Sequence, residues 1–437
     1  MTLLDFRMKQ LLFLFSLLAY VNLSGQSLSN NVAIDTTLIE YKQKLSSLYD
    51  ERALTTVQFL ENNLDREIKK KVLTVYGEKN KDFKKKINKG IFIEHSLYSP
   101  FIDSLFAKIR SANPTVDFSS FKILLAISES KNAYNVGENI VVLNLPLLYE
   151  LENEFQVASV LTHEIAHQTL NHVQNDIIHQ IKLDNSKEIK KKTEEIKNQQ
   201  YNQSQFATNL LKKMIYKNRE LARKYEHQAD SLGFIYFKNT FPNKEEVPIR
   251  TLQILKSLDK EKDSLQIEDY RELFKKSALT FNPDWFASEL TGYRYQKDSK
   301  IWDIDSLRTH PDCEDRIAFL KKNFNLKSED KKLNSLYFNQ LKKEAAKEMV
   351  FSLYFLEMYG QSLYNALIAY RKDENELFYK KMIYQNLIKI QKARANYTLN
   401  RYLENENPLF SNSYNRFVCF CRNIRKSELQ QLIDYFK

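Results

Sequence analysis

Glycine and proline are scarce, 7 and 8 of 437 residues, which speaks against the turn-rich pattern of an all-β fold and for long helices. Cysteine is scarcer still. Cys313, Cys419 and Cys421 are odd in number and show no C-x-x-C spacing, so they define neither a disulfide framework nor a cysteine metal site. A chain of this size does not need covalent staples, and its stability has to come from apolar burial. Long apolar runs are missing beyond Leu11 to Val21, and that one falls short of the ~20 residues that span a bilayer. Arg7 and Lys9 precede it and small or polar residues follow through Gly25, the order of a secretory signal peptide over residues 1–25. Gln26 rather than Cys follows Gly25, which removes the thiol that lipoprotein processing acylates. The expectation is an exported bacterial protein, soluble in the periplasm once processed, with an N-terminally anchored form facing the periplasm as the alternative.

Lys, Glu, Leu, Asn and Tyr are plentiful, and 43% of the residues are hydrophobic, enough for a substantial core. A formal net charge of +11 raises the question of a nucleic-acid partner. The basic runs at Lys69 to Lys71, Lys84 to Lys86 and Lys190 to Lys192 are interleaved with acidic residues, the pattern of solvated helix faces, and no nucleic acid is expected.

Between Leu38 and Lys71 apolar residues recur at helical spacing (Leu45, Leu48, Tyr49, Val57, Leu60, Leu64), and a basic, polar stretch runs from Glu78 to Lys89. Pro100 opens a helix with Phe101, Ile102, Leu105, Phe106 and Ile109 on one face, ended by Asn113-Pro114. Two short strands are predicted, Phe121 to Ser128 and Asn139 to Asn144, the second entered through Asn135-Val136-Gly137. Helix resumes at Glu152, and the polar segment Gln174 to Arg223 reads as one or two solvated helices. The Tyr-rich remainder is helical over Leu353 to Tyr370 and Leu377 to Tyr402, with no second copy at a fixed period, so ordinary helical packing is favoured over a tetratricopeptide array. The expected class is mainly α with a small β-sheet (α+β). The expected divisions are an N-terminal helical segment at 26–97, a catalytic domain at 98–325 and a C-terminal helical module at 326–437.

The strongest chemical signal is His163-Glu164-Ile165-Ala166-His167 within a predicted helix, because an i, i+4 spacing puts both imidazoles on one face where a single zinc ion can take them. A catalytic zinc needs a third protein ligand and an open position for water. Glu226 is the candidate, with Asp230 one turn on as the carboxylate that orients a liganding imidazole. Leu170 and Val173 occupy the positions where the alternative three-histidine arrangement needs Gly and His. His172 is off that register and reads as a surface residue, and His95, His179 and His227 read as ordinary polar groups. Zinc-bound water with Glu164 as general base is the chemistry of peptide hydrolysis. In Thr309-His310-Pro311 and the stretch ending at Arg316, His310 or Arg316 can supply the positive edge for a developing oxyanion.

In this order the motifs resemble the HtpX and CAAX-prenyl endopeptidase family of gluzincin metalloproteases, notably its soluble BepA-like and Oma-like branches. The likeness covers roughly residues 98 to 325: Asn132-Ala133-Tyr134 with Gly137 and Ile140-Val141-Val142-Leu143, then His163-Glu164-x-x-His167, Glu226-x-x-x-Asp230, and His310-Pro311 with Arg316. It implies a zincin-type core with one Zn2+ per chain held by His163, His167 and Glu226. It further implies Glu164 as base, Asp230 as orienting carboxylate, and His310 with Arg316 near the oxyanion. An edge strand, Asn139, Ile140, Val141, Val142 and Leu143 through Asn144, is implied to pair with an extended protein or peptide substrate. His310 is also implied as a cap on the zinc in a latent form. By analogy the activity is an endopeptidase in envelope protein quality control, with envelope or outer-membrane partners met through the C-terminal module. The other reading is a chaperone-like scaffold that retains a metallopeptidase fold.

Overall fold

The computed structural model describes residues 38–198, 203–258, 264–288, 313–326, 335–408 and 410–437. Residues 1–25, expected as a signal peptide, and Thr309-His310-Pro311 lie outside the described residues. Within them helices dominate around one four-stranded sheet, a mainly α member of the α+β class.

α1 (Ile39–Asn63) and α2 (Arg66–Asn88) pack as a hairpin across a two-residue link. The basic stretch from Glu78 is no break: α2 runs through it, burying Phe83 and Ile87 while Lys81 and Lys85 face out. The sheet then assembles from β1 (Phe92–Ile93), β2 (Lys122–Ala126), β3 (Ala133–Gly137) and β4 (Ile140–Asn144), with α3 (Tyr98–Ala112) between the first two. Strand order is β1-β2-β4-β3, with β2 and β4 parallel and the other pairs antiparallel. Alternate residues of β4 serve two cores. Val141 and Leu143 face the catalytic side, and Ile140 and Val142 face the α1–α2 hairpin. A strand covered on both faces reads as an unbroken apolar run, which is why β4 was visible in the sequence.

That same burial corrects the substrate-strand expectation. Residues Asn139, Ile140, Val141, Val142 and Leu143 do not form an edge: β4 is hydrogen-bonded on both sides, and β3, expected only as the entry to it, is the edge. The β3–β4 turn passes through left-handed backbone at Gly137, Glu138 and Asn139 (φ 88, 50 and 57°). The N-terminal hairpin holds it there. Lys79 forms an ion pair with buried Glu138, and Arg52 Nη1 donates to the carbonyls of Glu138 and Asn139 at 3.3 and 3.2 Å.

β4 feeds α4 (Leu145–Glu150), with Pro146 in its first turn, and then α5 (Glu154–Thr169), whose N-cap Asn153 accepts from the Gln156 amide at 3.1 Å. The polar segment that follows is divided among three helices: α6 (His172–Asp184), α7 (Lys187–Lys197) and the start of the 38-residue α8 (Gln203–Thr240). α8 packs along α5, and at Gly233 the two backbones come so close that a Cβ there would lie 2.9 Å from His163 Cα. α9 (Val247–Leu258) and α11 (Cys313–Phe324) close the first core, with α10 (Ile267–Phe274) between them in sequence.

The C-terminal helices are α12 (Leu336–Phe355), α13 (Tyr359–Lys372), α14 (Leu377–Ala395), α15 (Asn412–Asn423) and α16 (Lys426–Phe436). The continuous helix expected over Leu353 to Tyr370 breaks at Glu357 (φ 62°), and the one beginning at Leu377 stops before Tyr397 (φ 58°). Their core also takes in Tyr270, Phe274 and Trp285, while α12 sends Phe338, Leu341 and Ala345 back into the first core.

Candidate metal centre

His163 and His167 lie one turn apart on α5, with Ile165 and Ala166 between them buried against the core, so packing forces the two imidazoles to a common face. Their Nε2 atoms are 3.1 Å apart. α8 crosses that face and brings one Glu226 carboxylate oxygen to 3.5 Å from His163 Nε2 and the other to 3.5 Å from His167 Nε2. A tetrahedral ion with bonds of about 2.0–2.1 Å holds its ligands about 3.3 Å apart, close to each of these approaches, and one donor atom from each residue lies within 4.8 Å of the others. Among the described residues these three form the cluster able to hold a metal. The predicted ligands therefore converge from segments some 60 residues apart in sequence.

Asp230, one turn after Glu226, accepts at 3.0 Å from His163 Nδ1, which leaves Nε2 directed at the cluster. Arg316, from α11, is buried against the same carboxylates. Its Nε and Nη2 donate to the two oxygens of Asp230 at 2.8 and 2.7 Å, and Nη1 lies 2.9 Å from Glu226 Oε2. The guanidinium is thus engaged by both carboxylates, and its geometry is that of a clamp on them. His310 lies outside the described residues.

One expectation is overturned. His172 is no surface residue: it is 4% exposed, its ring stacks on Tyr225 at 4.2 Å, and its Nδ1 is 3.0 Å from His167 Nδ1. The left-handed Asn171 (φ 54°) folds the chain back after α5 so that α6 begins beside the metal-binding turn. No sequence spacing announces this, because it depends on a loop conformation. His227 lies outside the cluster, paired with Asp315 at 2.8 Å and flat on Phe319. Gly233 was also missed, although a glycine inside a strong helix pattern is a visible signal.

Burial opposes the charge of both site carboxylates, but Arg316 and His163 hold Glu226 well below the ordinary range and Asp230 at about 2. Burial and then His163 depress His167 to about 3, so it is a neutral imidazole. For His163 burial and Arg316 disfavour the cation, yet hydrogen bonds to Asp230 and Glu226 carry it up to about 9. Glu164 is pushed up to about 7, chiefly by burial, with Glu226 adding to it and His163 and Arg316 opposing. That places its proton affinity near neutrality, where a general base works best.

A cleft of about 250 Å³ opens in front of the three donors. Asn132 and Ala133 to Asn135 of the edge strand line it, together with the apolar side chains of Val160, Phe234, Leu252, Leu255 and Leu320. The backbone N–H of Asn135 donates to Glu164, so the outward edge of β3 faces the reacting centre directly.

Comparison with curated proteins returns no match. The sequence profile of peptidase family M48 matches residues 104–323, half of the chain, a span that runs from α3 to the end of α11 and takes in every residue of the cluster above. Donor set, neighbouring acid and family profile coincide on one segment, and the chain belongs to peptidase family M48, a family of metallopeptidases.

Proposed function

We propose that this chain is a zinc-dependent endopeptidase acting on extended segments of envelope proteins in the bacterial periplasm, in the service of protein quality control. The observation that carries the reading is the convergence of His163, His167 and Glu226 at ligand spacing beside Glu164 in an open cleft. Two imidazoles and one carboxylate are a donor set suited to a single catalytic zinc. A zinc ion held by these residues would lower the pKa of a bound water towards neutrality and supply a Lewis acid for the scissile carbonyl.

The chain's own residues do the rest. Glu164 takes a proton from the attacking water and later delivers it to the leaving amine nitrogen. The outer edge of β3 pairs with no strand among the described residues, and a substrate running alongside it would meet its carbonyls directly and take its N–H groups from Asn132 Oδ1, Glu164 and Asn135 Oδ1, so recognition uses main-chain hydrogen bonds and tolerates varied sequences. The apolar side chains lining the cleft select a hydrophobic side chain next to the cleaved bond. Arg316 fixes Asp230 and Glu226 and so keeps the carboxylates from drifting towards solvent. Partner binding falls to the C-terminal helices, and the periplasmic setting rests on the N-terminal run of the sequence.

The purified protein is to be assayed on casein with and without zinc, beside Glu164→Gln. Zinc-dependent cleavage that the variant loses while still binding the ion supports the reading. Equal cleavage by wild type and variant refutes it.

A further inference from the structure

His172 takes no part in the reaction just derived, yet it is buried against a ligand. We propose that it is a positioning residue that locks His167 in the one tautomer able to bind the metal; the inference rests on the metal-site reading above.

His172 Nδ1 stands 3.0 Å from His167 Nδ1, and His172 Nε2 stands 3.2 Å from Gln228 Oε1. Two ring nitrogens at that distance share one proton, one donating and the other accepting. For His167 to offer the lone pair of Nε2 to a cation, its proton must sit on Nδ1 and be donated to His172 Nδ1. His172 then carries its own proton on Nε2 and donates it to the Gln228 amide oxygen, which can only accept. Each link follows from the one before, and the amide end facing His172 is the oxygen that this polarity requires. The opposite polarity puts the His167 proton on Nε2 and blocks coordination.

The surroundings leave His172 little freedom to turn. The Tyr225 ring covers it at an interplanar angle of 15°. Tyr225 and Gln228 flank Glu226 on α8, so the segment that supplies the third ligand also grips the group that orients the second. His163 is oriented by a carboxylate, Asp230, and His167 by a neutral imidazole and amide. Outer partners of this kind typically change metal affinity by about 10–100-fold when lost.

The test is zinc affinity, measured near neutral pH by competition with a chromophoric chelator, together with the visible spectrum of the cobalt-substituted protein. His172→Phe keeps the ring against Tyr225 and removes the acceptor; affinity is expected to fall about 10–100-fold and the cobalt bands to shift. His172→Asn places an amide oxygen near the Nδ1 position and is expected to recover most of that loss. Gln228→Leu leaves His172 in place, removes its anchor, and is expected to weaken zinc binding as well. It decides the matter should His172→Phe fail to fold, as judged by melting of the metal-free proteins. A wild type that binds no zinc refutes the metal-site reading itself. Wild-type affinity in His172→Phe, or an equal loss in the Phe and Asn variants of a zinc-binding protein, overturns the positioning role alone.

Discussion

An alanine at position 233 sets two effects against each other. Gly233 sits inside α8, where replacing glycine by alanine in an isolated helix is worth about 1 kcal/mol in favour of the helix. Against this, a Cβ at 233 would lie 2.9 Å from His163 Cα, 3.0 Å from His163 N and 3.1 Å from the Thr162 carbonyl oxygen. All three are backbone atoms of α5 and cannot rotate away. Ordinary contact begins at 3.4 Å, so α5 and α8 must part by about 0.5 Å at the metal-binding turn. Overpacking of this kind costs about 1–3 kcal/mol, which offsets or exceeds the propensity gain and leaves a folded protein slightly destabilised. Function is hit harder, because α8 carries Glu226 and Asp230 while α5 carries His163 and His167. Metal sites tolerate only about 0.2 Å in their bond lengths. Gly233→Ala is therefore expected to melt within a few degrees of wild type yet lose zinc affinity at least tenfold, read by chelator competition on protein whose fold is checked by circular dichroism. A variant that binds zinc as wild type does and melts higher would show that the helices are not held at this distance, and the reasoning fails.

Other outcomes follow from the same cluster. Glu164→Gln should raise the stability of metal-free protein above neutral pH: the native state keeps this proton to about pH 7 where the unfolded chain loses it near 4.5, so stability falls across that interval. The gain is about 3 kcal/mol at most and vanishes below pH 4.5, and urea melts of both proteins at the two pH extremes check it. Because His163 holds a proton up to about pH 9 in the metal-free protein, zinc uptake near neutrality should release about one proton. Calorimetry in buffers of different ionisation enthalpy measures this, and a buffer-independent heat contradicts it. Arg316→Met leaves buried Asp230 and half-buried Glu226 without their cation, for a loss of about 3–5 kcal/mol. That loss should be smaller in zinc-loaded protein, where the ion compensates Glu226, and equal destabilisation of both forms would refute the clamp.

Much of the site was legible before the structure because its information is local. His163 and His167 are one helical turn apart, as are Glu226 and Asp230, and a helix converts those spacings into common faces without help from the rest of the fold. The apolar run of β4 was equally plain, since a strand covered on both faces needs no alternation. The same feature misled the reading of its role: an unbroken apolar run marks an interior strand, whereas the edge, β3, carries Tyr134 and Asn135 and resembles a loop in sequence.

Residue types and helical periodicity thus determined the chemistry of this chain: two imidazoles and an acid on one helix, a carboxylate pair on another, and a mainly helical body to hold them. Tertiary structure alone decided how they meet. That Glu226 faces His163 and His167 depends on the crossing of α5 and α8 at Gly233, that His172 turns inward depends on one left-handed residue at Asn171, and that β3 borders the cleft depends on strand order. Each of these is a relation between segments far apart in sequence or set by a single backbone angle, and periodicity carries no record of either.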